Sequence, residues 1–453
     1  MGNKINTRRI ALDILMRYER EGTKLTPLLL DVLRSYKELD SRDKAFIVSL
    51  AEGVIERLIT LDWVINEVSD RHTDNMKPVI RMIIRLGAYQ LLFMDHVPDP
   101  ASVNESVKLV HAKHMDGLSG FVNGVLRAVV GLRDKGIKYP DTETEYSCPK
   151  WIADIFRSSY GDTKAEAMIK AGIGAGNLYL RVNRCLMDKV SLKAKLADEG
   201  IEAESVLTEE GTELPYTLLV KSGKLIPSES DSFKKGLYSV QDLSSQRAIY
   251  DLWDRFQVYI KGQNIVDINI IDLCAAPGGK SCFLAEMLDG RKDKLSDIRY
   301  SLKAFDISDA KLDKIKENIG RTGLGNIRPC INDATVFNEE MENSADIIIA
   351  DIPCSGLGVI GRKVDIKYRV KPEDIDTLCK LQRVILDNAV RYLKPNGILM
   401  FSVCTVTKEE TVEQASYIEE LGLHKISEQL FLQGVDPCDG FYYSIWQKTF
   451  LTI

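Results

Sequence analysis

The sequence predicts a multidomain protein with three successive parts: an N-terminal all-α bundle, a small α+β module, and a C-terminal α/β domain with a doubly wound, mainly parallel sheet. The chain has 453 residues, more than one hydrophobic core usually spans. Apolar residues follow a helical period in the first part, whereas short apolar runs closed by turns recur in the last. Hydrophobic residues make up 45% and charged residues 28%, so each part can form a core.

Residues 1–135 predict the helical bundle. Ile14, Leu15 and Tyr18 fall on one helical face, and no strand-like alternation interrupts the region. The run from Ser102 to Glu105 reads as a capping box at a helix start. The polar, turn-rich segment 136–145 is interpreted as a linker.

Residues 147–240 predict the small α+β module. The β-like runs 178–182 and 216–220 alternate with helical stretches such as 190–198. This alternation on a short length of chain favours a compact module distinct from the bundle.

Residues 241–453 predict the α/β domain. Strand candidates, each short, apolar and closed by a turn or an acid, are 268–273, 302–306, 346–350 and 398–403. Strand, turn and helix repeat in that order, which is typical of a parallel sheet.

Composition excludes several classes of protein. The net charge of −6 and pI of about 5.6 argue against a general nucleic-acid coat, so any RNA contact must come from local patches. Nine cysteines without a C-x-x-C, and only five histidines, argue against a disulfide scaffold and a structural metal. No apolar run approaches the roughly 18 residues of a membrane span, and no signal-peptide core is visible. We expect a cytoplasmic monomer without a metal.

A small-residue turn follows the first strand of the α/β domain. Cys274, Ala275, Ala276, Pro277, Gly278, Gly279 and Lys280 form this turn before a helix. Small residues let a ligand approach the backbone, and the helix N-terminus adds N–H donors. A plain βα turn is the alternative. Asp306 ends the second strand and Asp333 follows a third apolar stretch, so the ordered set predicts a nucleoside cofactor whose ribose hydroxyls bind to Asp306.

Two cysteines and an aspartate follow later strands. Asp351 and Cys354 come after strand 346–350, and Cys404 comes after strand 398–403. Ligands lie beyond the carboxyl ends of parallel strands, so these side chains converge on the crevice. A pair of buried structural cysteines is the alternative.

The chemistry that fits the cysteines is methylation of a pyrimidine carbon. A proline followed by Cys354, instead of an aromatic residue, points away from amino-group methylation. A thiolate attacking C6 of cytosine makes C5 able to accept a methyl group. Lys280 is a candidate positive charge to lower the thiol pKa, and Asp351 is placed to face the N3 edge of the base.

A basic segment follows the Cys354 turn. Residues 362–371 hold five cations in ten residues. This segment predicts contacts with RNA phosphates and stacking on a base. A run of charged residues is more often simply a solvent-exposed face. The predicted RNA-binding residues are Arg362, Lys363, Lys367, Tyr368 and Arg369.

Several motifs resemble the Sun-type RNA cytosine-5 methyltransferases. They are Asp272–Lys280, Asp351–Ser355, Val403–Cys404, Gln241–Gln246 and Gly440–Tyr443. The first part, including Gly120–Arg127, is similar to a NusB-type RNA-binding bundle. The combination resembles the bacterial Sun/Fmu (RsmB-type) enzymes that methylate 16S ribosomal RNA.

The resemblance implies a role for each site residue. It implies S-adenosyl-L-methionine as cofactor, with residues 274–280, Asp306, Asp333 and Asp351 lining its pocket. It implies that Cys404 is the nucleophile and that Cys354 assists proton removal or product release. Its partner would be ribosomal RNA, 16S by this likeness.

The chain departs from the family pattern at three residues and in two stretches. Ile352 stands where alanine is usual, and Val403 and Thr405 flank the nucleophile in place of threonine and serine. The stretches 255–267 and 290–300 are longer than expected and are predicted to be surface loops.

Other functions remain open from the residues. They are a catalytically silent RNA-binding or ribosome-assembly factor, a methyltransferase of tRNA or large-subunit rRNA, and a methyltransferase acting on an amino group or a protein.

Overall fold

The computed structural model describes residues 6–174, 176–263, 267–290 and 298–449. They form two compact units. The first unit comprises the chain up to Gly174 together with Ile360–Val370, and the second comprises 175–359 and the chain from Lys371 onward. Within the described residues, no helix has the length and apolar character needed to cross a membrane.

The helices and strands are numbered in chain order. The α-helices are α1 Thr7–Glu21, α2 Leu25–Ser35, α3 Ser41–Glu56, α4 Leu58–Val68, α5 Pro78–Phe93, α6 Asp99–Ala112, α7 Ser119–Lys135, α8 Thr142–Glu145, α9 Lys150–Tyr160, α10 Asp162–Lys170, α11 Lys189–Asp198, α12 Asp231–Lys234, α13 Leu243–Gln263, α14 Gly279–Asp289, α15 Asp309–Thr322, α16 Ile366–Arg369, α17 Pro372–Tyr392 and α18 Val412–Glu420. The strands are β1 Tyr179–Val182, β2 Glu202–Leu207, β3 Glu213–Ser222, β4 Tyr238–Val240, β5 Asp267–Asp272, β6 Arg299–Asp306, β7 Ile327–Ile331, β8 Ala345–Asp351, β9 Leu393–Val403, β10 Leu423–Phe431 and β11 Phe441–Lys448.

The first unit is helical, as predicted. The side chain of Asn6 accepts from the Arg9 N–H at the start of α1, and Gly22 ends this helix in the left-handed region at φ +60°. The apolar face of α1 is buried in the core of the unit. The predicted capping box at Ser102 is wrong, because α6 begins earlier at Pro98–Asp99 and the Ser102 hydroxyl donates to the Gly87 carbonyl at 3.0 Å.

The predicted linker 136–145 is partly structured. Asp141 caps α8 by accepting from the Thr144 N–H at 2.7 Å. The hydroxyl of Thr60 on α4 donates to the Thr144 carbonyl at 2.7 Å. These bonds hold α8 on the bundle, and the helical unit continues through α10 to Gly174.

Ile360–Val370 is a distant segment that completes the first unit. The N–H of Leu25 donates to Asp365 at 3.1 Å. The Tyr368 hydroxyl donates to the backbone carbonyls of Ser147 at 3.0 Å and Glu56 at 3.3 Å. Burial lowers the pKa of Lys367, which is 1% exposed, to about 8. This segment is therefore part of the helical core.

The second unit begins with a four-stranded antiparallel sheet in the order β2-β3-β1-β4. Its core contains Leu180 and Val182 from β1 together with Leu192 and Leu196 from α11. Strands near 178–182 and 216–220 and the helix near 190–198 were predicted and are confirmed.

A seven-stranded sheet follows, in the order β10-β11-β9-β8-β5-β6-β7. Strands β5 to β9 are mutually parallel, and β11 and β10 pair antiparallel at one edge. The predicted fold class and the four predicted strands are confirmed. The carboxyl ends of β5, β6, β8 and β9 consequently share one edge of the sheet.

The two long stretches predicted as surface loops have different outcomes. Residues 255–263 are the last part of the helix α13, so the loop prediction is wrong there. A continuous amphipathic helix buries Phe256 and Tyr259 in the core, which a loop would not do. Residues 264–266 and 291–297 lie outside the described residues. Asp267 begins β5 and residues 299–300 begin β6, so the loop prediction is wrong at these positions too.

Candidate active site

The two predicted thiols meet at the carboxyl ends of β8 and β9. The sulfur atoms of Cys354 and Cys404 are 3.2 Å apart, and both side chains are partly buried. The pKa of Cys354 is raised well above its ordinary value by its hydrogen bond to Cys404, then by burial and by the charges of Cys404 and Glu410. Either thiol can donate this hydrogen bond, and the raised pKa favours the protonated form of Cys354.

Backbone hydrogen bonds hold the Cys354 loop against β9. The Ile352 N–H donates to the Ser402 carbonyl at 3.2 Å, and the Gly358 N–H donates to the Cys404 carbonyl at 3.2 Å. The space beside Gly358 is closed, because an added Cβ would lie 2.0 Å from the Gly440 carbonyl oxygen. Ile352, one of the residues that depart from the family pattern, is buried in the core beside these strands.

Asp351, at the end of β8, receives two donors. The Lys280 ammonium lies 2.6 Å from Oδ2, and the Ser402 hydroxyl donates to Oδ1 at 2.7 Å. Lys280 is nearly buried and also lies 5.0 Å from the centre of the Phe441 ring. The lysine predicted to tune a thiol therefore neutralises Asp351, whose side chain is 34% exposed.

The cofactor turn connects β5 to α14. Gly278 precedes α14 with φ +99°, a conformation that favours glycine. The charges of Asp272, Asp306 and Asp351 all act on Cys274, whose pKa is raised first by burial and then by these carboxylates. Three acids from β5, β6 and β8 therefore surround the start of the turn.

The acids differ in their hydrogen bonds. Asp272 is buried, accepts from the Ser281 hydroxyl at 2.5 Å through Oδ2, and has a pKa raised to about 7, chiefly by burial. Asp306 accepts from the Ala276 N–H at 3.1 Å and pairs with Lys311 at 2.9 Å. Asp333 accepts from the N–H and hydroxyl of Thr335, which lower its pKa.

An arginine from the antiparallel sheet contacts the cofactor turn and the helix that follows it. Arg181 on β1 is 1% exposed and pairs with Glu286 on α14 through two bonds of 2.7 and 3.0 Å. The third nitrogen of Arg181, Nη1, donates to the Gly279 carbonyl at 2.7 Å. This contact fixes one peptide of the cofactor turn.

The predicted RNA-binding segment belongs to the helical unit. Lys367 is 1% exposed, so the prediction that its side chain contacts RNA is wrong. Tyr368 is partly exposed and its hydroxyl is bonded to backbone carbonyls, so its contact with RNA stays a prediction. Arg369 lies 3.6 Å from Asp365 and is partly exposed. Arg362 is also partly exposed, and Lys363 is exposed.

Several groups that shape the site were not predicted as site residues. Ser402, Phe441, Lys311 and Glu410 all contact residues of the predicted set or their neighbours. Ser402 shares a strand end with Cys404, and that position was the available signal. Glu410 lies in the charged run Lys408–Glu410, which gave no sign of burial.

Family comparisons agree with this architecture. Residues 5–131 match the NusB family, residues 148–217 match the ferredoxin-like domain of RsmF/B-like methyltransferases, and residues 262–430 match the 16S rRNA methyltransferase RsmB/F family. The three matches follow the order of the helical, antiparallel and parallel parts of the chain.

Curated relatives match over almost the whole chain. The probable ribosomal RNA small subunit methyltransferase B of Bacillus subtilis (strain 168) is 31% identical over 90% of this chain and 87% of its own length. Ribosomal RNA small subunit methyltransferase B of Klebsiella pneumoniae (strain 342) is 28% identical over 98% of both chains.

Solved structures share the fold. The crystal structure of PH0851 superposes with a TM-score of 0.75 at 20% identity, covering 99% of this chain and 100% of that one. NSun6 from Pyrococcus horikoshii, solved with SFG, gives a TM-score of 0.54 at 19% identity over 67% of this chain and 98% of its own. Together with the near full-length curated matches, these findings show that the chain belongs to the RsmB family of rRNA (cytosine-C5)-methyltransferases.

Proposed function

We propose that the protein transfers a methyl group from S-adenosyl-L-methionine to C5 of a cytosine in 16S ribosomal RNA through a covalent bond between Cys404 and C6. The observation that carries the proposal is the pair of thiols 3.2 Å apart at the carboxyl ends of β8 and β9. The names of the curated relatives, small-subunit rRNA methyltransferases B, support the choice of RNA.

The residues of the turn fit the cofactor. Two buried polar atoms near the strand ends, Asp272 Oδ1 and Asn332 Nδ2, have no hydrogen-bond partner among the residues that the structure describes. They offer an acceptor and a donor to a polar ligand, since buried polar groups are ordinarily hydrogen-bonded. Asp306 would hold the ribose hydroxyls, and Asp333 would line the adenine side with residues 274–280. When bound, S-adenosyl-L-methionine supplies an electrophilic methyl group.

Cys404 begins the reaction as a thiolate. Cys354, whose raised pKa keeps it protonated, donates a hydrogen bond to this sulfur and stabilises its negative charge. The sulfur attacks C6, a C6–S bond forms, and the electrons of the C5–C6 double bond move toward C5 and the ring. C5 then becomes nucleophilic and takes the methyl group.

Lys280 and Asp351 prepare the site for the charge of this step. The base gains negative charge during attack, and a bare carboxylate at its edge would repel it. The Lys280 ammonium, 2.6 Å from Asp351, cancels that charge and leaves the pair able to face the N3 edge of the cytosine.

Cys354 completes the reaction. After attack, Cys404 is a neutral thioether, so its charge and its hydrogen bond no longer raise the pKa of Cys354, and only burial and Glu410 still do. Cys354 loses its proton to solvent and then accepts the C5 proton. The C5–H electrons rebuild the double bond, the C6–S bond breaks, and Cys404 leaves as a thiolate.

RNA contact in this proposal comes from the helical unit. The NusB family match over residues 5–131 supports this role. Arg362, Lys363 and Arg369 remain the candidate phosphate contacts of the segment 360–370, since their side chains keep some exposure.

The test compares single cysteine variants with labelled 16S RNA on a denaturing gel. Cys404→Ala should methylate nothing and form no adduct. Cys354→Ala should accumulate a slow-migrating protein–RNA band that requires the cofactor, and the double variant should lose that band. Cys379→Ala on α17 serves as the thiol control and should behave as the unmodified protein.

The possible outcomes separate the alternatives. A trap in Cys404→Ala would exchange the two roles. Full methylation by both single variants would make the thiols structural and remove the proposal. Mass spectrometry of nucleosides from 16S, large-subunit and transfer RNA identifies the substrate, and RNA binding without any 5-methylcytosine would indicate a silent assembly factor.

A further inference from the structure

Glu410 is a fully buried carboxylate that the reaction above does not use. It lies between Cys404 and α18 and is 0% exposed. Burying a carboxylate is costly unless its oxygens are hydrogen-bonded. The position of its partners indicates what this residue does.

Oxygen Oε1 of Glu410 holds the loop that carries Cys354. The Ser355 N–H donates to it at 2.8 Å, and the side-chain amide of Gln382 on α17 donates at 3.1 Å. The same amide nitrogen of Gln382 lies 3.0 Å from the carbonyl oxygen of Pro353. The residues on both sides of Cys354 are thus held through Glu410 and Gln382.

Oxygen Oε2 holds the loop that carries Cys404. The hydroxyls of Thr405 and Thr407 lie 3.2 and 2.8 Å from it. The Ser355 hydroxyl also reaches this oxygen at 2.5 Å and lies 2.8 Å from the Thr405 hydroxyl. One carboxylate therefore joins the residue after Cys354 to the residue after Cys404.

We infer that Glu410 is a positioning residue that fixes the distance and orientation of the two thiols across the ends of β8 and β9. The inference rests on the proposed function, since it assigns Glu410 to the same two-cysteine reaction. Each thiol sits on its own loop, and a shift of about 1 Å at reacting atoms can cost on the order of 100-fold in rate. Glu410 also adds to the raised pKa of Cys354, after the effects of Cys404 and burial.

A purely structural buried carboxylate would act differently. Its loss would lower stability and reduce every activity through unfolding, with no preference for one chemical step. A positioning residue affects the rate of adduct formation in protein that remains folded and binds RNA normally.

The test uses Glu410→Gln, which keeps the shape of the side chain, in the full-length protein and in the Cys354→Ala background. Glu409→Gln, the exposed neighbour, is the matched control. We expect single-turnover adduct formation to slow by about 10- to 100-fold, with the KM for RNA unchanged within error. The urea midpoint should fall, because the amide nitrogen faces hydrogen-bond donors, but the protein should remain folded in the assay. Glu409→Gln should match its parent in all three measurements.

A second pair of variants covers the case in which Glu410→Gln does not fold. Thr405→Val removes the hydroxyl between Ser355 and Glu410, whereas Thr411→Val removes a buried hydroxyl that donates to the Thr407 carbonyl at 2.6 Å instead. Only Thr405→Val should slow adduct formation. Equal rates in both threonine variants, or normal adduct formation in folded Glu410→Gln, would overturn the inference. Absence of an adduct in Cys354→Ala itself would instead reject the proposed function.

Discussion

Removal of Arg181 tests how the antiparallel sheet supports the cofactor turn. In Arg181→Met, the carboxylate of Glu286 stays buried without its partner. Breaking a buried ion pair from one side costs about 3–5 kcal/mol. The side chains are 1% and 0% exposed, so solvent does not offset this cost.

The cost should depend on pH. Burial already raises the pKa of Glu286, and Arg181 lowers it. Without Arg181, the pKa of Glu286 in the folded protein rises further above its value in the unfolded chain. The folded protein then favours the protonated carboxyl, and the stability that this proton contributes at low pH is lost as pH rises through the folded pKa. The free energy of unfolding should fall by up to about 1.4 kcal/mol per pH unit in that range.

The assay is urea denaturation of the full chain near pH 5 and pH 8. Trp253 and Trp446 report the second unit when Trp63 and Trp151 are replaced by Phe. We expect a larger loss at pH 8 than at pH 5.

Two further variants complete the design. Adding Glu286→Leu to Arg181→Met should recover most of the loss. Arg299→Met, which breaks an exposed pair with Asp267 (76% and 68% exposed), should cost no more than about 1 kcal/mol. An equal loss at both pH values, with no recovery in the double variant, would refute the reasoning.

Three other changes probe separate features. Asp272→Asn should flatten the pH dependence of stability. In the wild-type protein, a folded pKa of about 7 for this carboxyl lowers the free energy of unfolding by up to about 4 kcal/mol as pH rises from about 4 to above 7. Urea midpoints measured against pH show the difference. Tyr368→Phe should cost about 1–2 kcal/mol in the first unit, seen by the fluorescence of Trp63 and Trp151, since two backbone carbonyls lose a donor. Gly358→Ala should cost at least about 2 kcal/mol and impair methylation, because its Cβ would strike the Gly440 carbonyl; unchanged activity would contradict the packing described.

The parts of the fold that could be predicted are those marked by a pattern of neighbouring residues in the sequence. Apolar periodicity separated the helical unit from the sheets, and the strand ends brought together Cys354, Cys404 and Asp351. The strands β10 and β11 were not predicted. β10 is largely exposed, so it lacks the continuous apolar run that marks the parallel strands.

The missed features depend on partners distant in sequence. Five cations in residues 362–371 suggested an exposed surface, but Lys367 is buried and the Tyr368 hydroxyl bonds to backbone carbonyls more than two hundred positions earlier. Glu410 sits in a charged run typical of an exposed helix start, yet Ser355 and Gln382 bury and satisfy it. No local pattern reports such pairings.

Because Ile360–Val370 is part of the helical unit, it also determines when that unit can finish folding during synthesis. The ribosome makes the chain from the N-terminus, so every strand from β1 to β8 has been translated before this segment emerges. Until then the Ser147 carbonyl lacks its tyrosine donor. The helical unit can therefore reach its final form only after most strands of the seven-stranded sheet have been translated. A fragment that stops at Gly174 lacks the segment Ile360–Val370 that completes this unit.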